Sequence, residues 1–361
     1  MKITLVVPSL RKTGVTEVIR NLLVQNKKNN HPVNFSLIVL EENFQENWLA
    51  FQNLVSDFYV LPKKSVINID KIRKFKKIIS RIDPDIIHFH GFNSELYVPF
   101  VKKYILVTTA HNMGVGDFKY SYGRIMSYLM SFVQKHNYKN IEEIIGVSET
   151  VSYHYKNLGF QNVETIRNGV EIPNNILINK IFENLRRPIG IYVGNVDERK
   201  NTEELLTAFN EIGKGSGTLM IVGDNPKNKE YYNKIKMEYQ DKNIIFTGRV
   251  KNVFQYLKGA DYFISASKNE GLPMAAIEAL GLNLDLILSN IPQHRELKKN
   301  INDRIIFFND KEELKESIVR YNRTWSLNSD YSNRRTFNKY FSASIMFNNY
   351  FELYKGLMKS V

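Results

Sequence analysis

Thirteen short apolar segments alternate with helical patterns along the whole chain, and the alternation starts afresh near its middle. Before the break, strands are expected at 3–7, 34–40, 58–61, 86–90, 104–109, 144–147 and 163–166, with helices between several of them at 16–28, 71–81, 121–136 and 150–158. After it, a strand at 188–194 ends in Gly194, a helix follows at 201–212, and further strands fall at 218–222, 243–246, 262–265, 284–288 and 304–307. Alternation of this kind requires a parallel sheet covered by helices on both faces, because parallel strands need crossovers that only helices conveniently make. The fold class expected is therefore α/β, with two mononucleotide-type domains in series. The Asn-rich stretch from Pro173 to Arg187 shows no clear strand and is expected to be a domain linker.

A length of 361 residues exceeds one ordinary domain, and an apolar share of 43% supplies two cores. The chain has no cysteine, which excludes a disulfide scaffold and a thiolate metal site and fits a reducing cytoplasm. The first apolar run stops at Pro8 and is followed by Arg11 and Lys12, so it suits a buried strand better than a secretion signal. No stretch reaches the roughly 18 to 20 apolar residues of a membrane-crossing helix.

The net charge of +13 calls for an anionic partner. Nucleic acid is not expected, since no binding motif accompanies the charge. A membrane surface is: in the segment 63–82, Ile72, Phe75, Ile79 and Ile82 share a helical stripe, with Lys71, Lys74, Lys76, Lys77 and Arg81 elsewhere. The same stripe also suits an ordinary core-facing helix whose lysines are wet, and the two readings are compatible.

The stretch 267–280, Ser-Lys-Asn-Glu-Gly-Leu-Pro-Met-Ala-Ala-Ile-Glu-Ala-Leu, carries the most chemistry. Gly271 and Pro273 mark a loop turning into a helix that starts near Pro273. The turn from Gly271 through Leu272, Pro273 and Met274 to Ala275 suits a phosphate, with free amides from all but Pro273, which has none to give and shapes the turn. Glu270 lies just before that site and Glu278 on the helix itself, so the two carboxylates can grip groups on either side of the phosphate. Gly14, after the first strand, opens another helix at a sheet edge where open α/β sheets bind ligands.

This pair resembles the E-x7-E element of the retaining glycosyltransferases of family 4. The resemblance implies the GT-B architecture, two Rossmann-like domains with a cleft between them. It implies an acceptor-side domain at 1–170, completed by a returning C-terminal helix at about 342–361, and a nucleotide-sugar domain at 188–341. It assigns Glu270 to hydroxyls of the transferred sugar and Glu278 to the ribose. The stretch 244–250, with Arg249 and Val250, is similar to the family's loop facing the base. His111, in Thr108-Thr-Ala-His-Asn, resembles the His that faces the donor sugar, and with Glu270 forms the expected catalytic pair. Gly194-Asn-Val-Asp-Glu-Arg-Lys-Asn201 resembles the family's Gly-Arg-Leu-x-x-x-Lys-Gly. Lys200 matches its phosphate-binding Lys, but Asn195 stands where the Arg is usual and Asn201 where the Gly is, leaving Arg199 or Arg249 to compensate. At Gly14 the family usually has two glycines, and Thr13 replaces the first.

The resemblance implies a hexosyltransferase-type enzyme of surface-polysaccharide assembly. Its donor is a nucleotide sugar, UDP-linked rather than GDP-linked, and its acceptor a lipid-linked saccharide or oligosaccharide. No cofactor and no metal are expected: Asp83-Pro-Asp85 has the spacing of a metal clamp, yet Pro84 before a buried strand makes it a turn. His88 and His90 alternate on a strand and are structural or near the acceptor. Localisation follows as cytoplasmic, peripheral on the inner face of the membrane. Two alternatives stay open: a non-catalytic partner subunit, because of Asn195, and a glycosyltransferase acting on nucleic acid, because of the charge.

Overall fold

The computed structural model describes residues 1–11, 13–28, 33–43, 45–62, 68–114, 123–213, 216–241, 243–324 and 331–359. They form two compact units, one made of Met1–Gly169 with Ala343–Val361, the other of Val170–Ser342.

The first unit is built on β1 (Lys2–Val7), β2 (Asn34–Val39), β3 (Asp57–Val60), β4 (Ile86–His90), β5 (Ile105–Ala110), β6 (Glu143–Gly146) and β7 (Val163–Thr165), in the order β3-β2-β1-β4-β5-β6-β7. Every pairing is parallel. Central strands of such a sheet are covered on both faces, and all five residues of β4 are buried, its two histidines included. The second unit carries β8 (Ile189–Val193), β9 (Thr218–Val222), β10 (Ile244–Gly248), β11 (Tyr262–Ser265), β12 (Asp285–Ser289) and β13 (Ile305–Phe308), ordered β10-β9-β8-β11-β12-β13. Its pairings are parallel too.

In each sheet the first strand sits beside the fourth, so the strand order reverses between β1 and β4 and between β8 and β11. Crossovers leave in opposite directions from such a point and open a crevice at the carboxyl edge. At that edge of the second sheet the backbones approach closely. A Cβ added to Gly223, after β9, would lie 1.9 Å from the carbonyl oxygen of Gly194, after β8, which explains why glycine follows this strand.

The helices obey local chemistry. Asn68 accepts from the Lys71 amide at 2.8 Å to open Ile69–Ile82, and Ser148 accepts from Val151 at 3.1 Å to open Glu149–Asn157. Asp83 caps the first of these in the left-handed conformation, and Asp85 accepts from the Lys2 amide at 2.7 Å, so Asp83-Pro-Asp85 is a helix exit joined to β1. The last helix, Ala343–Lys359, belongs to the first unit and buries Tyr350 and Tyr354 against it.

Two details are corrected, the linker at 173–187 and the placing of Lys71 off the apolar stripe, while the core-facing reading of that stripe holds. The stretch 173–187 is part of the second unit: a 3-10 turn at Lys180–Asn184 buries Phe182, which closes over Gly259 and meets Tyr256 edge-on at 6.4 Å. One aromatic is enough to anchor an otherwise polar segment. In Ile69–Ile82, the buried residues are Lys71, Phe75 and Ile79, with Ile72 and Ile82 half-buried, so the apolar stripe faces the core and Lys71 joins it. Burial lowers the Lys71 pKa while Glu41 opposes the shift. Lys74, Lys76, Lys77 and Arg81 are exposed. Residues 63–67 of that basic segment and 121–122 of the helix expected at 121–136 lie outside the described residues.

Candidate active site

At the carboxyl end of β8 the chain leaves through Gly194 and turns through 195–201 into the helix Thr202–Ile212. Asp197 accepts from the Lys200 amide at 2.9 Å and fixes the turn. Asn201 sits in the left-handed region at φ 52°, a conformation that Asn tolerates and most residues do not. The departure from glycine at this position is therefore conformationally mild. Asn195 is exposed, and its carbonyl accepts from the buried Tyr192 hydroxyl at 2.6 Å.

From β11, on the other side of the strand-order reversal, the chain runs through 266–273 to the helix Met274–Gly281. The two loops are joined by the Lys268 amide, which donates to the Arg199 carbonyl at 2.9 Å. Glu270 is the centre of the contact. It is 6% exposed, with Lys200 Nζ at 2.5 Å from Oε1 and Arg199 Nη1 at 3.2 Å from Oε2. The same guanidinium nitrogen donates to the Asn269 carbonyl at 2.8 Å. Burial would raise the pKa of Glu270; the charges of Lys200 and Arg199 outweigh it and hold the carboxyl at about 2. One buried carboxylate thus faces two cations.

Beside it, Met274–Gly281 begins without a side-chain cap, and its first intrahelical bond is from Ile277 to the Pro273 carbonyl at 3.1 Å. The amides of Met274, Ala275 and Ala276 consequently have no acceptor within the helix. Leu272 and Pro273 are buried and hold the turn, Gly271 is half-buried at the loop, and Glu278 is half-buried on the second turn. Cationic charge, helix dipole and free amides together suit a dianionic group such as a diphosphate.

The structure separates the two arginines that could stand in for the cation absent at Asn195. Arg199 joins the Glu270 cluster, whereas Arg249, exposed after β10 with Val250 half-buried beside it, is paired with Asp224 at 3.1 Å. His294, which the sequence did not single out, also adjoins the cluster. Its Nδ1 donates to the Ser289 carbonyl at 2.8 Å, which leaves Nε2 as a buried lone pair with no partner among the described residues. Burial pushes its pKa down to about 4, although Glu270 opposes the shift. The only sequence mark of His294 is Pro292, which opens a short helix after β12.

In the first unit, His111 follows β5 and is half-buried. Its Nε2 lies 3.2 Å from His90 Nδ1. His90 meets His88 with ring centroids 4.1 Å apart and planes tilted by 35°, and His88 is bonded at 2.7 Å both to Tyr354 and to Thr109, which meets Tyr350 at 2.9 Å. The C-terminal helix thereby sets the orientation of the strand histidines. Burial lowers the pKa of all three rings, to about 3 for His88 and about 4 for His111, so each is a neutral imidazole near pH 7. Gly14 is exposed at the start of Gly14–Lys28, where Thr13 and Thr16 exchange capping bonds, Thr13 N to Thr16 Oγ1 at 2.9 Å. Among the described residues no group of three or more His, Cys, Asp or Glu is arranged to hold a metal ion.

Family models match both units: residues 13–172 fit "Glycosyltransferase Family 4" and residues 187–323 fit "Glycosyl transferases group 1". The chain belongs to glycosyltransferase family 4. It is similar to the O-antigen biosynthesis glycosyltransferase WclY of Escherichia coli, with 24% identity over the full length of both chains. It is also similar to the capsular polysaccharide biosynthesis glycosyltransferase CapH of Staphylococcus aureus, with 28% identity over 64% of this chain and 66% of that one. Among solved structures, Anabaena HepE in complex with UDP superposes with a TM-score of 0.78 at 13% identity, over 99% of this chain and all of that one. The fold of this glycosyltransferase is thus GT-B, two Rossmann-like domains, and the cluster around Glu270 lies at the strand-order reversal of the second.

Proposed function

We propose that this glycosyltransferase moves a sugar, with retention, from a UDP-sugar to a lipid-linked saccharide during surface-polysaccharide assembly. The carrying observation is the pair of cations, Lys200 and Arg199, gathered at the buried Glu270 and set beside the amides of Met274, Ala275 and Ala276, which the helix leaves without an acceptor. Departure of a sugar leaves a diphosphate whose growing charge needs positioned cations and amides, and this arrangement supplies them without a metal. Arg199 takes the part of the cation absent at Asn195, which disfavours a non-catalytic subunit.

With its pKa held at about 2, Glu270 is ionised at any working pH and can only accept hydrogen bonds, as a residue gripping sugar hydroxyls must. His111 on the first unit is neutral and presents a dipole to the sugar, not a charge. With neither group holding a titratable proton near neutrality, the leaving phosphate oxygen takes the acceptor's proton. The enzyme's contribution is orientation and charge stabilisation. Glu278 holds the ribose, and Arg249 and Val250 lie toward the base.

UDP is favoured because HepE has been solved with UDP and with UDP-glucose, and TarM of S. aureus with UDP and alpha-GlcNAc-glycerol. The polysaccharide acceptor is favoured by the names of the relatives, CapH and WclY among them. No helix among the described residues is long and apolar enough to cross a membrane, and the +13 charge suits peripheral attachment to the inner leaflet. Incubation of the purified chain with UDP- and GDP-sugars without acceptor tests the donor: slow release of UDP from one UDP-sugar, in EDTA, is expected. Hydrolysis confined to GDP-sugars, or dependent on added metal, would overturn this assignment.

A further inference from the structure

The helix Arg124–Tyr138 has its polar side inside and its apolar side outside. Its buried residues are Ser127, Gln134, Asn137 and Tyr138, whereas Ile125, Leu129 and Phe132 are 89, 56 and 71% exposed. Its polar side is held by the buried Glu95: Gln134 donates to Oε2 at 2.8 Å, Tyr138 to Oε1 at 2.9 Å and Asn137 to the backbone carbonyl at 3.0 Å. With the inner face so fixed, the helix cannot roll to hide the outer one. Ile125, Leu129 and Phe132 recur at i, i+4 and i+7, a single stripe, and Tyr128 flanks it at 61% exposure. Helices of water-soluble domains show the reverse pattern, and a continuous apolar face of this kind marks an interaction surface.

Charge identifies the occupant. No Asp or Glu occurs within Arg124–Tyr138, and Arg124, Lys135 and Lys139 are all exposed along one flank of the stripe. A second copy of this chain would set that basic flank against itself. An anionic bilayer complements both features, since its acyl boundary takes the apolar stripe and its head groups the cations. We propose that Arg124–Tyr138 docks this protein on an anionic lipid surface, with Ile125, Leu129 and Phe132 entering the head-group boundary and Arg124, Lys135 and Lys139 at the lipid phosphates. This replaces the helix Ile69–Ile82 as the docking element and rests only on the membrane part of the proposed function.

The test is co-sedimentation of the full chain with vesicles of equal parts phosphatidylglycerol and phosphatidylcholine, and with phosphatidylcholine alone. The wild type is expected to bind the mixed vesicles and to leave pure phosphatidylcholine. The double variant Leu129→Gln/Phe132→Gln, changed only at exposed positions, is expected to bind at least about tenfold more weakly. Ile69→Gln, at an isoleucine 68% exposed on the other helix, should bind as the wild type does. Unchanged binding by the double variant, equal binding to both vesicles, or a wild-type dimer that the variant dissociates would each overturn the proposal. None of these readouts uses sugar transfer, and donor hydrolysis measured on the same samples separates failure of docking from failure of the enzyme assignment.

Discussion

Glu270→Gln is expected to abolish sugar transfer while leaving UDP bound. The substitution keeps the shape of the side chain and removes its charge, so Lys200 and Arg199 lose their common counter-ion. Because both cations are partly solvated, at 17 and 26% exposure, the loss of stability is expected to be about 2–3 kcal/mol, below the figure for a fully buried pair. The freed positive charge favours the diphosphate, so affinity for UDP holds or rises. The sugar, however, loses the acceptor that orients it, and turnover is expected to fall by at least about 10². A variant that turns over normally would remove Glu270 from the site. One that loses UDP binding and transfer together, with its fold intact, would place the carboxylate at the nucleotide.

Acid is expected to unfold the first unit before the second. His88, His90 and His111 have folded pKa values depressed by burial, with His88 at about 3 and His111 at about 4 against an ordinary 6.5. Below pH 6.5 the unfolded chain takes up protons that the folded rings refuse, so stability falls with pH from 6.5 until the folded values are passed. At pH 4.5 His88 and His111 alone cost on the order of 5 kcal/mol, a large share of a domain's stability. The second unit has one such ring, His294 with its pKa at about 4, against three in the first, so its loss over that range is smaller. Glu270, depressed from 4.5 to about 2, contributes stability that is complete above 4.5 and lost only as pH falls from there toward 2. Trp48, in the first unit, reports this separately in a Trp325→Phe background. Thermal unfolding followed by its fluorescence should move down steeply between pH 7 and 5; an unchanged midpoint would mean that the rings are not buried neutral.

The strands were legible because a parallel sheet covered on both faces demands continuous apolar runs, and all thirteen lie within two residues of the expected bounds. The start of Met274–Gly281 was legible from Gly271 and Pro273, whose backbone preferences are local. Asn201 shows how a departure from a motif can leave the geometry intact, since the left-handed position accepts Asn as well as Gly. Local pattern failed where a distant partner decides. The stripe Ile125, Leu129 and Phe132 has the period of a core-facing helix, and only the buried Glu95, 39 residues before Gln134 in the sequence, turns it outward. Lys71 went to the core and Phe182 anchored a polar stretch for the same reason: their neighbours are tertiary. His294 lacks any motif, and its place beside Glu270 comes from β12 lying next to β11. The choice of Arg199 over Arg249 likewise depended on which carboxylate each one meets.

In the function proposed, the loops after β8 and β11 hold a nucleotide diphosphate through cations and amides. Titration calorimetry of UDP in EDTA, on the wild type, Lys200→Ala and the Glu270→Gln variant, measures it directly. The expected result is binding by the wild type, a loss of at least about tenfold in Lys200→Ala, and affinity at least as high in Glu270→Gln. Equal affinity in the wild type and Lys200→Ala would mean that these loops do not hold the diphosphate.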